Sequence, residues 1–149
     1  MKIELIGMEP GLALAVRKRA NAENFKELIN EGYDQLQKYL VGLGKEMSGP
    51  PFVAYYMCGE EFDMDMGFPV AEEIPGTGDL YMCKTPSGKA VTGMYTGSYK
   101  GLEQAYGEIF KYIEENSLEP TGVYYDYYLN DPAVTPEDEL ETKIVIPLK

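Results

Sequence analysis

The feature that most constrains how this 149-residue chain folds is an internal repeat. Three segments of the first half are matched, in the same order, by segments of the second half. They are "YDQLQKYL" (33–40) with "YGEIFKYI" (106–113), "PFVAYYMC" (51–58) with "GVYYDYYLN" (122–130), and "FDMDMGFPV" (62–70) with "LETKIVIPL" (140–148). In the second pair, the Tyr55-Tyr56 doublet is aligned with Tyr127-Tyr128. Chance can produce one such match, but three in order indicate a duplicated unit.

Each copy is predicted to fold as strand, helix, strand, strand. The opening strands are "GLALAVRKR" (11–19) and "GKAVTGMYTG" (88–97). A helix follows each of them, because apolar residues recur there at helical spacing. The two stripes are Phe25, Leu28, Ile29, Leu36, Tyr39 and Leu40, and Leu102, Tyr106, Ile109, Phe110 and Ile113. Asn24 and Ser98 precede these stripes and are the expected N-caps.

The predicted boundaries are repeat 1 at about 1–74, a linker at about 75–87 and repeat 2 at about 88–149. The linker is rich in Gly, Pro and Thr and contains a short strand at "DLYMC" (79–83). A unit of about 70 residues with one helix is marginally stable alone, so we expect the copies to share a core as one domain. The predicted class is α+β, an antiparallel sheet with helices on one face, a central groove and pseudo-twofold symmetry.

The charge balance limits the partners that this chain can take. It has 25 acidic and 13 basic residues and a net charge of -12. So acidic a surface repels phosphate backbones, which argues against direct nucleic-acid binding. It favours a cationic ligand or a basic protein partner, although acidity can also serve solubility alone.

Other chemistry is limited by residues that the chain lacks. It contains no His, the commonest general base and metal ligand, and we expect neither a metal nor a cofactor. Its two cysteines, Cys58 and Cys83, are expected to be reduced, small buried side chains. The N-terminus is interrupted by Glu4, Glu9 and Pro10. It is therefore predicted to be neither a signal peptide nor a membrane span, and the protein to be cytoplasmic.

The strand "VYYDYYLN" (123–130) is the candidate binding element. Alternate residues of a strand face opposite sides of its sheet. Val123, Tyr125, Tyr127 and Leu129 are expected to pack under the helices, and Tyr124, Asp126, Tyr128 and Asn130 to face the other way. The repeat alignment assigns Phe52 and Tyr56 to the same face, which predicts a groove walled by Phe52, Tyr56, Tyr124 and Tyr128 around Asp126.

Such a groove is suited to a planar or amphipathic cation. Aromatic faces attract cations by about 0.5–2 kcal/mol each, and apolar burial adds to this. A carboxylate that is partly removed from water is costly until a positive group arrives. The alternative is that Asp126 is a solvated residue on an open sheet face and that the tyrosines only fill space.

The chain resembles the GyrI-like small-molecule-binding family. The resemblance covers nearly the whole chain and is carried by the duplicated pattern, "TGSYKGLEQAYGEIFKYI" (96–113), "GVYYDYYLNDP" (122–132) and "TPEDELETKIVIPL" (135–148). The family includes effector-binding domains of multidrug-responsive transcription activators and stand-alone gyrase-inhibitory proteins.

The resemblance implies two modules around a ligand groove, with an acid, usually Glu, at its base for lipophilic cations. Asp126 takes that position here and is one methylene shorter. Glu141 is a second candidate, and Asp63, its counterpart in the first repeat, is expected to be a solvated strand residue.

Three functions remain open at this point. The first is a stand-alone protein, or a fragment, that senses or sequesters lipophilic cationic or aromatic small molecules, with a separate DNA-binding regulator as a conceivable partner. The second is a GyrI-like hydrolase of reactive electrophiles, in which Asp126 or Glu141 orients water. No nucleophile–base pair or GxSxG motif stands out for it, and we favour binding. The third is an acidic, gyrase-inhibitor-like module that binds a basic protein.

Overall fold

The computed structural model describes residues 2–21, 23–58, 61–130 and 134–149, without the side chains of residues 57, 58 and 99. The prediction for Cys58 therefore lies outside what is described. Within these ranges the chain forms eight strands and two α-helices, and the predicted α+β class is confirmed. The strands are β1 (Ile3–Met8), β2 (Leu12–Asn21), β3 (Phe52–Cys58), β4 (Glu61–Val70), β5 (Leu80–Lys84), β6 (Gly88–Thr96), β7 (Val123–Tyr128) and β8 (Glu141–Pro147), and the helices are α1 (Phe25–Gly42) and α2 (Leu102–Glu115).

The chain divides into two compact units. We call Pro10–Pro86 the N-terminal unit, and Met1–Glu9 with Ser87–Lys149 the C-terminal unit. The N-terminal unit has strand order β3-β4-β2-β5 and the C-terminal unit β1-β6-β8-β7, with antiparallel pairing. The predicted order of strand, helix, strand, strand occurs in both, as β2-α1-β3-β4 and β6-α2-β7-β8.

Two strands, β1 and β5, do not pair as the predicted repeat boundaries imply. β1 begins the chain but pairs with β6 of the C-terminal unit, where Ile3 is opposite Gly93. β5 lies in the predicted linker but pairs with β2, where Leu80 is opposite Val16. The physical reason is that each four-element copy leaves one edge of its first strand unpaired, and an added strand satisfies those backbone groups.

Both helices begin close to their predicted caps, but the caps differ in detail. Asn24 is the N-cap residue of α1 as predicted, although its side chain accepts the backbone N–H of Asn21 and not one of the helix. Ser98 is not the N-cap of α2, because a 3-10 turn at Tyr99–Gly101 intervenes. The Ser98 hydroxyl accepts the N–H of Lys100 at 3.2 Å and therefore caps that turn.

Each helix covers one face of the sheet in its own unit. On the N-terminal unit, Tyr33 of α1 stacks on Phe68 with ring centroids 5.5 Å apart. Under α2, Ile109 and Ile113 of the predicted stripe are buried in a cluster with Ala105, Val91, Ile144 and Ile146. The other members of the stripe, Leu102, Tyr106 and Phe110, are partly buried against this cluster. We call these the helix-covered faces and the other sides the opposite faces.

Neither helix, over the residues that the structure describes, is long and apolar enough to cross a membrane.

Gly67 lies on the opposite face of the N-terminal unit, where the ring of Phe52 fills the space above it. A Cβ at Gly67 would lie 2.7 Å from Phe52 Cε1, and Phe52 is only 2% exposed and cannot yield. Gly107 in α2 is the control position, because a Cβ there meets nothing within 4 Å.

We expect Gly67→Ala to lower the free energy of unfolding by about 1–3 kcal/mol through overpacking. Gly107→Ala should raise it by about 1 kcal/mol through helix propensity. Urea unfolding of both variants checks this pair, and equal effects of the same sign would contradict the packing described.

Candidate functional site

The tyrosine strand is β7, and the structure reverses its predicted faces. The ring of Tyr124 packs under α2, with its centroid 6.3 Å from that of Tyr106 and 5.3 Å from that of Phe110. Tyr124 and Asp126 therefore lie on the helix-covered face. We had expected Val123, Tyr125, Tyr127 and Leu129 to lie there. Tyr125 and Tyr127 stack on each other at 6.3 Å on the opposite face.

The repeat alignment, which grouped Phe52 and Tyr56 with Asp126, is also displaced by one residue. In the structure, Asp65 of β4 pairs with Ala54, and Lys143 of β8, which the repeat aligns with Asp65, pairs with Tyr127. Ala54 therefore corresponds to Tyr127, and Val53, which is fully buried, corresponds to Asp126. Because side chains alternate along a strand, a slip of one residue moves every side chain to the other face.

Asp126 is a buried carboxyl group with one hydrogen-bond donor. It is 3% exposed, and the hydroxyl of Tyr106 donates to its Oδ1. Burial raises the pKa of Asp126 to about 6, although the Tyr106 hydrogen bond opposes the shift. No basic side chain of the described residues forms an ion pair with it. The carboxyl is therefore mostly ionised at neutral pH, and the part of the chain that the structure describes supplies no cation to neutralise it.

Tyr128 of β7 and Glu141 of β8 are the other predicted site residues of the C-terminal unit. Tyr128 is half-buried and pairs with Thr142, whose buried hydroxyl oxygen has no hydrogen-bond partner within the described ranges. Glu141 is exposed at the start of β8, and its backbone N–H is bonded to the side chain of Asn130. The structure thus brings Tyr124 and Asp126 together and places the Glu141 side chain toward solvent.

Phe52 and Tyr56 belong to the N-terminal unit, on its opposite face. Phe52 packs over Gly67, and the Tyr56 hydroxyl donates to Asp65 Oδ2 at 3.1 Å. The groove that combines them with Tyr124 and Asp126 stays a prediction. Asp63, which was expected to be a solvated strand residue, is partly exposed and also forms an ion pair with Arg19 at 3.4 Å.

Asp65 is a second buried carboxylate, and it was not predicted. It is 4% exposed and lies between Met64 and Met66, whose side chains point to the helix-covered face. Arg17 binds it through two hydrogen bonds, Nε to Oδ1 at 2.9 Å and Nη2 to Oδ2 at 3.0 Å. The Arg17 Cζ also lies 4.7 Å from the ring centroid of Tyr56.

The groups around Asp65 are held in fixed protonation states. The hydrogen bond to Asp65 raises the pKa of Arg17, so the guanidinium stays charged. Burial raises the pKa of Tyr56 and of Tyr81, the charge of Asp65 adds to the shift for Tyr56 and a hydrogen bond to Asp65 for Tyr81, and both hydroxyls remain donors. Burial raises the pKa of the Cys83 thiol to about 11, which makes it a poor nucleophile at neutral pH. We call Arg17, Tyr56, Asp65 and Tyr81 the Asp65 cluster.

A signal for the Asp65 cluster was present in the sequence. Arg17 and Arg19 alternate in β2 as Asp63 and Asp65 do in β4, which is the pattern of cross-strand ion pairs. Only the register of β2 against β4 tells which pair is buried. Tyr106 was counted with the apolar stripe of α2, and nothing in its spacing indicated the hydrogen bond to Asp126.

Two surface hollows lie apart from both carboxylates. One, of about 380 Å³, is lined by Met94, Tyr95, Thr96, Gly101, Gln104, Ala105 and Glu108. The other, of about 470 Å³, is lined by Gln37, Leu40, Val41, Gly44, Lys45, Glu46 and Met47. Across the described ranges, no group of three or more Cys, Asp or Glu residues is arranged to hold a metal ion.

Comparison with known proteins gives the family. The GyrI-like small molecule binding domain matches residues 1–149, the whole chain. The chain belongs to the GyrI-like family. No curated protein matches this GyrI-like chain.

Solved structures share the fold at low sequence identity. The C-terminal domain of EcmrR superposes with a TM-score of 0.88 at 19% identity, covering 99% of this chain and 97% of that one. A hydrolase from Listeria innocua gives a TM-score of 0.71 at 13% identity, with coverage of 99% and 92%. SAV2435 bound to tetraphenylphosphonium gives 0.68 at 13% identity, with coverage of 100% and 94%. At these identities the likeness shows the GyrI-like fold and not a shared ligand.

The raised pKa of Asp126 makes the stability of this GyrI-like domain depend on pH. The folded state holds the Asp126 proton more tightly than the unfolded state, where the pKa is near its ordinary value of 3.8. The stabilisation is therefore fully present below about pH 4 and is lost as the pH rises through 6. The free energy of unfolding is therefore lower at neutral pH than below pH 4 by about 3 kcal/mol from this group.

We expect Asp126→Asn to be more stable than the wild type at pH 7, because Asn accepts the Tyr106 hydrogen bond without a charge. The difference should shrink toward pH 4, and urea unfolding between pH 4 and 8 measures it. Asp138→Asn, in the exposed 3-10 turn at Glu137–Glu139, is the control with no such trend. A difference for Asp126→Asn that stays constant with pH would refute the buried carboxylate.

Proposed function

We propose that this GyrI-like chain binds lipophilic aromatic cations at the cluster of Asp126, Tyr106, Tyr124 and Phe110. The observation that carries the proposal is a buried carboxylate with no basic partner among the described residues, which accepts the hydroxyl of Tyr106, a ring packed with those of Phe110 and Tyr124. A lipophilic cation supplies what this carboxylate lacks.

The chemistry of the cluster favours such a ligand over other small molecules. The rings of Tyr106, Phe110 and Tyr124 are partly buried around the fully buried core of the C-terminal unit. Aromatic faces attract a cation by about 0.5–2 kcal/mol each. A nearby positive charge also lowers the cost of keeping Asp126 ionised, so an uncharged ligand of the same shape gains less.

Relatives support the ligand class. The family is one of small-molecule-binding domains, and SAV2435, which shares this fold, has been solved with tetraphenylphosphonium, a lipophilic aromatic cation. EcmrR, whose C-terminal domain has the same fold, has also been solved in complex with DNA, and this chain covers 57% of that EcmrR chain. We therefore propose that binding serves to sense such cations, together with a separate DNA-binding regulator, or to sequester them.

Hydrolysis is the second candidate, and one observation favours it. The Tyr106 hydroxyl is hydrogen bonded to Asp126, which pairs a proton donor with a carboxylate. A Listeria innocua protein with this fold is described as a hydrolase. Hydrolysis requires that an electrophilic substrate be consumed, so mass spectrometry of the ligand after incubation separates it from binding alone.

Titration with tetraphenylphosphonium tests the binding proposal. We expect Asp126→Asn to weaken binding by at least about tenfold, which corresponds to about 1.4 kcal/mol. Tyr124→Ala should weaken it through loss of a ring face, whereas Tyr106→Phe, which keeps its ring, should have a smaller effect. Isothermal titration calorimetry measures all three.

Two controls separate local from general electrostatics. Asp138→Asn removes an exposed charge of the same unit and should leave the affinity unchanged. Triphenylphosphine oxide, an uncharged ligand of related shape, should not distinguish Asp126→Asn from the wild type. Wild-type affinity of Asp126→Asn for tetraphenylphosphonium would exclude this cluster as the site.

A further inference from the structure

The Asp65 cluster already holds a planar cation, and that cation belongs to the protein itself. The guanidinium of Arg17 presents two parallel N–H groups to the two oxygens of Asp65, at 2.9 and 3.0 Å. Its carbon lies 4.7 Å from the ring centroid of Tyr56. The hydroxyls of Tyr56 and Tyr81 complete the environment of the carboxylate.

We propose that the Asp65 cluster is a second ligand site, specific for small molecules that carry a guanidinium or amidinium group. Arg17 is its resident occupant, and such a ligand binds by taking the place of the Arg17 guanidinium. The site lies on the opposite face of the N-terminal unit and shares no residue with the Asp126 cluster, so this inference does not rest on the function proposed above.

The burial of the two charges indicates which of them can leave. The side chain of Asp65 is 5% exposed, whereas that of Arg17 is 50% exposed. Asp65 is held among neighbouring groups, while Arg17 reaches it from the solvent side on a long flexible stem. When Arg17 withdraws, its half-exposed charge returns to water. The incoming guanidinium then forms the ion pair with the buried Asp65 carboxylate in its place.

The geometry selects planar cations with paired donors. A carboxylate whose two oxygens each accept one N–H group matches an amidinium or guanidinium fork, and an ammonium group cannot reproduce both bonds in one plane. The flat group must also stack on Tyr56, which favours a delocalised charge. Tetraphenylphosphonium has no N–H donors, so the Asp65 cluster and the Asp126 cluster prefer different ligands.

Arg19 provides a matched comparison within the same strand. It lies two residues from Arg17, on the same face of β2, and binds Glu61 and Asp63. The side chains of these carboxylates are 63% and 36% exposed, so water already solvates them. Replacement of Arg19 leaves no buried charge and creates no site.

Benzamidine is the probe, with benzylamine as a ligand that has the same ring and charge but no planar fork. Binding is read from the NMR signals of ring-labelled Tyr56 and Tyr81. We expect the wild type to bind benzamidine weakly and in preference to benzylamine. Arg17→Gln should bind it about tenfold or more tightly, because the competitor is gone. Arg19→Gln and Asp138→Asn should behave as the wild type, and Asp65→Asn should not bind.

Three outcomes would overturn the proposal. They are a wild type whose Tyr56 and Tyr81 signals do not respond to benzamidine, an Arg17→Gln variant with wild-type affinity, and an Asp65→Asn variant that still binds. Should Arg17→Gln fail to fold because Asp65 is left unpaired, Arg17→Lys replaces it. Lysine keeps the charge but competes less well for the planar position, so a several-fold gain in affinity is expected.

Discussion

Strand register is the constraint on which the other features of this protein depend. In each unit a helix covers one face of an antiparallel sheet, so the register of each strand pair decides whether a side chain is buried under the helix or lies on the opposite face. The pairing of β2 with β4 places Arg17 opposite Asp65. The pairing of β7 with β8 places Asp126 opposite Ile144, under α2.

The two buried carboxylates have opposite electrostatic states. Asp65 is neutralised by Arg17 and accepts hydrogen bonds from its neighbours, so its burial is compensated. Among the described residues, Asp126 has the Tyr106 hydroxyl as a donor and no cation, and burial raises its pKa. A buried charge of this kind costs stability, and groups with such shifted pKa values cluster at functional sites.

Sequence patterns predicted much of the fold but only part of the candidate site. The repeat, the helices and the strand at Leu80–Lys84 were predicted, because hydrophobic periodicity is a local property. The partners of β1 and β5 were not, because pairing between distant strands is not encoded locally. For the candidate site, the sequence indicated Asp126 and Tyr124, which are neighbours on one face of the same strand. Asp65 and Arg17, 48 residues apart, were missed.

The sequence by itself determined that the chain is a duplicated α+β protein with an acidic surface and a carboxylate among tyrosines. It could not determine which face of β7 carries that carboxylate, since alternation separates the two sets of side chains but does not tell which set a helix covers. Only the tertiary structure decided this, because backbone pairing with β8 and the position of α2 select one register. The same pairing of distant strands decided that Asp65, and not Asp63, is buried against Arg17.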